Sequence, residues 1–184
     1  SGGSIPLMIT VLQVLALVAM EPPVSSSADA VRDQTAAVLR TLHPLSGECV
    51  PRGVVRAQYE AFRGEPGVKA GSRTPTFVAL KAGIDNWRWK GVPFYLRTGK
   101  RMPARKTEIV VAFRRVPHSI FAGRGARSEP NRLVIGIQPE ENITLSLMAK
   151  VPGLDREGIR LRPVPLDIAM DDAFAGPTKR IAYE

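Results

Sequence analysis

Beyond position 93 the chain is written in short alternating runs, at 94–97, 107–113, 133–138, 143–149 and 159–168, with no helical stretch between them. Parallel neighbours need a crossover of a dozen or more residues, usually a helix, whereas antiparallel neighbours need only a turn. Turn-forming residues fill the connections, as in 122–131, Ala-Gly-Arg-Gly-Ala-Arg-Ser-Glu-Pro-Asn. The pattern therefore predicts a largely antiparallel sheet. Ile143, Leu145 and Leu147 alternate with Thr144, Ser146 and Met148, so this run has one apolar face and one mixed face.

The first forty residues have the other period. Residues 5–20 are apolar nearly all round (Val11, Leu12, Val14, Leu15, Leu17, Val18), which predicts an interior helix ended by Pro22-Pro23. Ser25-Ser26-Ser27 then offers a cap, Asp29 an anion for the first turn, and Val31, Thr35, Val38, Leu39 and Leu42 one face of a second helix closed by His43-Pro44. Residues 54–59 read as a short strand, 64–73 as a glycine-rich basic loop, and 76–84 as strand or helix. Together these elements predict an α+β fold, a largely antiparallel sheet backed by helices.

With 184 residues the chain has the size of one domain with its own core, and its 44% hydrophobic content fits a soluble globular class. Ser1-Gly2-Gly3-Ser4 looks like a linker, so residues 1–10 are expected to lie outside a domain spanning 11–184. The apolar run at 5–20 falls short of the ~20 residues a membrane span needs, and no basic residue precedes it as in a signal peptide. A lone cysteine, Cys49, forms no internal disulfide and points to a reducing, cytoplasmic setting. Twenty-six basic residues against 17 acidic ones give a net charge of +9, which admits anionic partners. Only 6% of the residues are aromatic, and no zinc spacing, RNP-like run or helix-turn-helix pattern is present, which argues against nucleic acid.

The densest chemistry lies in 84–106, Ile-Asp-Asn-Trp-Arg-Trp-Lys-Gly-Val-Pro-Phe-Tyr-Leu-Arg-Thr-Gly-Lys-Arg-Met-Pro-Ala-Arg-Lys. Aromatic residues supply a rigid scaffold, with Trp87 and Trp89 expected as packing residues, and Phe-Tyr-Leu-Arg forms a strand. A glycine turn then presents Lys100, Arg101, Arg105 and Lys106. Ammonium and guanidinium groups bind phosphate, and glycine allows close backbone approach, so an oxygen-rich anion is the fitting ligand.

This segment resembles the glucose-6-phosphate dehydrogenase family, in particular its second, substrate-binding domain. Other segments agree in the same order: Leu12 through Pro23, Ala28 through Asp33, Thr107-Glu108-Ile109 with Phe113, Pro117-His118 with Phe121, Asn131 through Ile135 with Gln138-Pro139 and Glu141, and Lys150-Val151-Pro152-Gly153. The resemblance covers roughly residues 11–184.

By that resemblance Lys100 corresponds to a lysine that contacts the sugar phosphate, Arg105 to a second substrate contact, and Gln138 to a third, whose amide donates to and accepts from hydroxyls. A separation of five positions, with Gly99 just before Lys100 and Pro103 between the two, is expected to let Lys100 and Arg105 point into one pocket. The implied reaction oxidises glucose 6-phosphate to its lactone with NADP, and the implied partner is a second copy bound through the sheet. Arg97 and Lys106 correspond to positions that touch a second, structural NADP in animal members. Val110, Gly136, Thr144 and Ser146 depart from that animal pattern, which leaves Arg97 and Lys106 as strand and turn residues.

Two family features are absent. No glycine-rich turn lies between a strand and a helix start, and the Asp-His-Tyr-Leu-Gly-Lys segment with the catalytic histidine does not occur. His43 reads as an exposed helix end and His118 as a turn residue, so no catalytic residue is assigned in this chain. The resemblance thus implies a piece of the enzyme that is inactive alone and stops short at its C-terminus. The competing reading is a non-catalytic basic module that binds polyanions.

Overall fold

In the computed structural model, residues 5–43, 53–116, 129–153 and 161–170 are described. They form two compact units divided after Met102. Cys49 and His118 lie outside the described residues.

In the first unit, α1 (Ile5–Ala19) ends ahead of the two prolines and α2 (Ala28–Arg40) starts where the serine run predicts. Ser27 is the N-cap, its hydroxyl accepting from the Ala30 N–H at 3.3 Å. Asp29 stands in the first turn and Arg40 in the last, both favourable to the helix dipole. A three-stranded antiparallel sheet follows in the order β1 (Val54–Ala57), β2 (Phe77–Ala82), β3 (Phe94–Gly99). The ambiguous stretch at 76–84 is thus a strand, whose register with β3 runs from Phe77 opposite Gly99 to Ala82 opposite Phe94.

The core of this unit joins Leu15 and Ala19 of α1, Val38 of α2, and Ala82, Ile84 and Leu96. Trp89 and Phe94 pack against it edge to face, with ring centroids 5.2 Å apart. The α1 helix is less interior than its composition predicts. Leu15, Ala16 and Ala19 are buried, but Ile9 and Leu17 are each 50% exposed. In α2, Val38 is buried while Leu39 points outward.

The second unit holds a four-stranded antiparallel sheet in sequence order: β4 (Thr107–Ala112), β5 (Arg132–Gln138), β6 (Asn142–Lys150) and β7 (Leu161–Ala169). β7 carries Pro163 and Pro165, which a strand tolerates at a sheet edge. The α+β class therefore holds, with the strands divided between two sheets rather than gathered in one. Neither described helix belongs to the second unit. Ile143, Leu145 and Leu147 do share a face, yet each is only half-buried.

Candidate functional site

Lys100 immediately follows β3, and its placement begins at the preceding glycine. A β-carbon on Gly99 would lie 2.9 Å from Cδ2 of Phe77, 3.0 Å from Sδ of Met102 and 3.4 Å from the Thr76 carbonyl. With glycine here, the Phe77 ring and the Met102 thioether fill the space that a side chain would need. The Lys100 N–H then donates to the Thr76 carbonyl at 2.8 Å. Thr76 is itself buried, its own N–H donating to Ala57 and its hydroxyl accepting from the Tyr59 N–H, each at 2.9 Å. The Lys100 backbone is thereby tied to the unit's frame, while its side chain is exposed and makes no ion pair among the described residues.

Arg105 and Gln138 belong to the second unit, where β-pairing brings them to one end of the sheet. Gln138 is the register partner of Thr107, two residues after Arg105, and both side chains are exposed. Gly136 permits the β5–β6 turn to close here, because a β-carbon would fall 2.1 Å from the Asn142 amide oxygen. A bulge between Thr107 and Glu108 sets the next side chains. The structure thus places Lys100 at the end of one unit's sheet, and Arg105 with Gln138 at the end of the other's.

Two of the four cations expected at the turn are already partnered. Lys106 pairs with Glu108 at 2.5 Å. Arg101 reaches Glu65, Nη2 to Oε1 2.8 Å, and its guanidinium lies 4.9 Å from the centre of the Tyr59 ring. Sequence reasoning missed Glu65 and Tyr59. They flank the 3-10 turn Glu60–Gly64, far upstream in the chain, and no local motif joins them to Lys100.

His43 is half-exposed at the end of α2, as expected, but it is not idle. Its ring pairs with the Asp85 carboxylate, which also receives the Lys90 ammonium. Lys90, followed by His43, holds the Asp85 carboxyl below the usual carboxylate range. Trp89 is a packing residue and donates its indole N–H to the Ala19 carbonyl at 2.9 Å. Trp87, expected to pack as well, is fully exposed.

Neither described sheet contains a parallel strand–helix–strand unit, and no glycine-rich turn opens a described helix. The described residues therefore do not form a dinucleotide site of the nucleotide-binding type. They offer cations and an amide, which suit the binding and orientation of an anionic, hydroxyl-rich ligand.

The family model for glucose-6-phosphate dehydrogenase, C-terminal domain, matches residues 8–184. The glucose-6-phosphate 1-dehydrogenase of Zymomonas mobilis is 52% identical over 187 residues, covering 95% of this chain and 38% of that protein. That of Rhizobium meliloti is 49% identical over 174 residues, covering 90% and 35%. The chain thus spans somewhat over a third of these relatives. Among solved structures, glucose-6-phosphate 1-dehydrogenase from Mycobacterium avium superposes with a TM-score of 0.74 at 42% identity, over 86% of this chain and 33% of that one. A glucose-6-phosphate dehydrogenase in complex with its substrate glucose 6-phosphate gives 0.75 at 34% identity, over 89% and 33%.

Proposed function

As a member of the glucose-6-phosphate dehydrogenase C-terminal domain family, the chain has, we propose, the role of the substrate-holding part of an enzyme that oxidises glucose 6-phosphate to its lactone with NADP. The observation that carries this reading is similarity along nearly the whole chain to glucose-6-phosphate dehydrogenases, one of them solved with that substrate.

In this reading Lys100, Arg105 and Gln138 are each a substrate contact, the two cations being of the kind that suits a phosphate and the amide of the kind that suits a sugar hydroxyl. Charge-assisted contacts hold a dianion more strongly than neutral hydrogen bonds do. NADP supplies the hydride acceptor when bound, and this chain's residues serve to hold and orient the sugar. The enzyme works as a homo-oligomer joined through the four-stranded sheet, in the cytoplasm, a setting that fits the one cysteine of this chain, Cys49. No described helix is long and apolar enough to cross a membrane.

The test uses the full-length protein that contains this chain. Lys100→Ala and Arg105→Ala should each raise KM for glucose 6-phosphate, because a charged contact is worth ~1.5–3 kcal/mol, or on the order of tenfold to a hundredfold. KM for NADP should move little. An unchanged sugar-phosphate KM in both variants overturns the assignment.

A further inference from the structure

Arg101 is the one described non-glycine residue with positive φ, at 52°. A β-carbon disfavours that left-handed backbone, which glycine or asparagine adopts more readily. What the arginine adds is its side chain, and the structure shows where it goes. The guanidinium meets Glu65 at 2.8 Å and lies over the face of Tyr59. These two residues are the caps of the 3-10 turn Glu60–Gly64, so a single short element supplies both contacts.

That element is anchored in turn. The Tyr59 N–H donates to the Thr76 hydroxyl, and the Tyr59 ring meets the buried Phe62 edge to face at a centroid distance of 5.6 Å. Hydrogen bonding to Glu65 raises the Tyr59 phenol above its usual range, which keeps it a neutral donor beside the carboxylate. Lys100 is consequently held on both sides. Its own N–H is bonded to the Thr76 carbonyl, and the side chain of the next residue is bonded to a turn fixed on the same Thr76.

We propose that Arg101, gripped by Glu65 and Tyr59, is a positioning residue that fixes the Lys100 backbone so that its ammonium meets the phosphate group of the substrate. This rests on the assignment of Lys100 as a substrate contact. Glu65 has a second effect, since it neutralises Arg101 and leaves the neighbouring Lys100 without a competing free cation beside it. A direct phosphate contact by Arg101 makes the opposite forecast, because freeing Arg101 from Glu65 would then strengthen substrate binding.

The experiment measures steady-state kinetics and amide hydrogen exchange on the full-length protein and its Glu65→Gln, Arg101→Gly and Lys100→Ala variants. Glycine preserves the left-handed backbone, so Arg101→Gly removes the grip without adding strain. Glu65→Gln and Arg101→Gly should each raise the glucose 6-phosphate KM about three- to tenfold, the range to which the net worth of one hydrogen bond converts. The double variant should be no worse than either single one, as expected of partners in one contact. KM for NADP and kcat should hold, and exchange should speed up at the Lys100 amide but not at Leu96 within β3. An unchanged KM in both grip variants, with Lys100→Ala impaired, overturns the proposal. So does a lower KM in Glu65→Gln, which makes Arg101 a ligand. An unchanged KM in Lys100→Ala defeats the substrate reading and the positioning role with it. Exchange at Lys100 separates the two failures, because it reports the grip without any substrate.

Discussion

Gly99 and Phe77 face each other across β2 and β3 so closely that the glycine has no room for a methyl group: a β-carbon would sit 2.9 Å from the Phe77 ring. Gly99→Ala should therefore force the ring or the strand to move. Overpacking of this kind costs about 1–3 kcal/mol, and each kcal/mol lowers the melting midpoint of a domain this size by about 2–4 °C. Gly64 is the matched control, since a β-carbon there meets nothing within 4 Å. Thermal unfolding that ranks Gly64→Ala as damaging as Gly99→Ala would contradict the packing.

The glycine before Lys100 was visible in the sequence, but its reason was not. A Gly-Lys pair after Phe-Tyr-Leu-Arg reads as a turn, whereas the contact that demands glycine comes from Phe77 on another strand. Element types followed the same division. The Ser27 cap, the proline pair and the period-two runs are local signals, and they appear in the structure where expected. Tertiary partners decided the rest. Leu39 and Leu17 are apolar but stand outside the packed faces, and Trp87 is exposed although its neighbour Trp89 is half-buried. The division of the strands between two sheets has no marker in alternation alone. At the site, the sequence pointed to Lys100 and Arg105 by resemblance, while the grip of Glu65 on Arg101 spans 36 positions and has no local signature.

The two tryptophans should respond oppositely to substitution. Trp89→Phe removes the indole hydrogen bond to the Ala19 carbonyl and part of the packing on Phe94. The expected loss is about 1 kcal/mol for the bond plus a packing contribution. Trp87→Phe should leave stability within about 0.5 kcal/mol, as for other exposed substitutions. In the 184-residue chain, the emission that remains in Trp89→Phe should be readily quenched by iodide, and that in Trp87→Phe protected. Equal quenching of the two would show that Trp87 is not exposed.

Asp85 supplies a pH dependence whose sign can be worked out. Lys90 and then His43 depress its folded pKa below the unfolded value of about 3.9. Its contribution is therefore present above the unfolded value and lost as pH falls through the folded one. The gap in melting midpoint between the parent protein and Asp85→Asn should be largest above about pH 5 and close as the carboxyl protonates. Salt should narrow it, since all three partners are partly exposed. A gap that widens toward acid would place the stabilising charge elsewhere.

The 184-residue chain on its own should form no NADPH from glucose 6-phosphate and NADP. Its described residues offer the proposed substrate contacts but no dinucleotide turn, and the Asp-His-Tyr-Leu-Gly-Lys segment does not occur in the sequence. Circular dichroism on the same sample should show helix and strand, so that inactivity is not mistaken for unfolding. NADPH formation that tracks the purified chain and vanishes in Lys100→Ala would refute this account.

The four-stranded sheet has two unlike faces, and they lead to the last prediction. Register places Ile109, Ile135, Ile143 and Ile168 in one row, with Val111, Leu133, Leu145 and Leu166 in the next, all on one face. The opposite face carries Val110, Val134, Thr144 and Asp167 in register, then Ala112, Arg132, Ser146 and Pro165. Thr144 donates to Asp167 at 2.6 Å, which satisfies part of this face's polarity internally, and Val110 is 50% exposed. This face mixes apolar and small polar residues with one base and one acid, Arg132 and Asp167, which suits a second copy better than a strongly charged face of a single sign would. The expected species is a dimer at high concentration that dissociates on dilution. Ser146→Arg in the full-length protein should shift it toward monomer, because two-fold contacts set the new charge near its own copy. Sedimentation that shows a strict monomer at high concentration, for both this chain and the full-length protein, would rule the interface out.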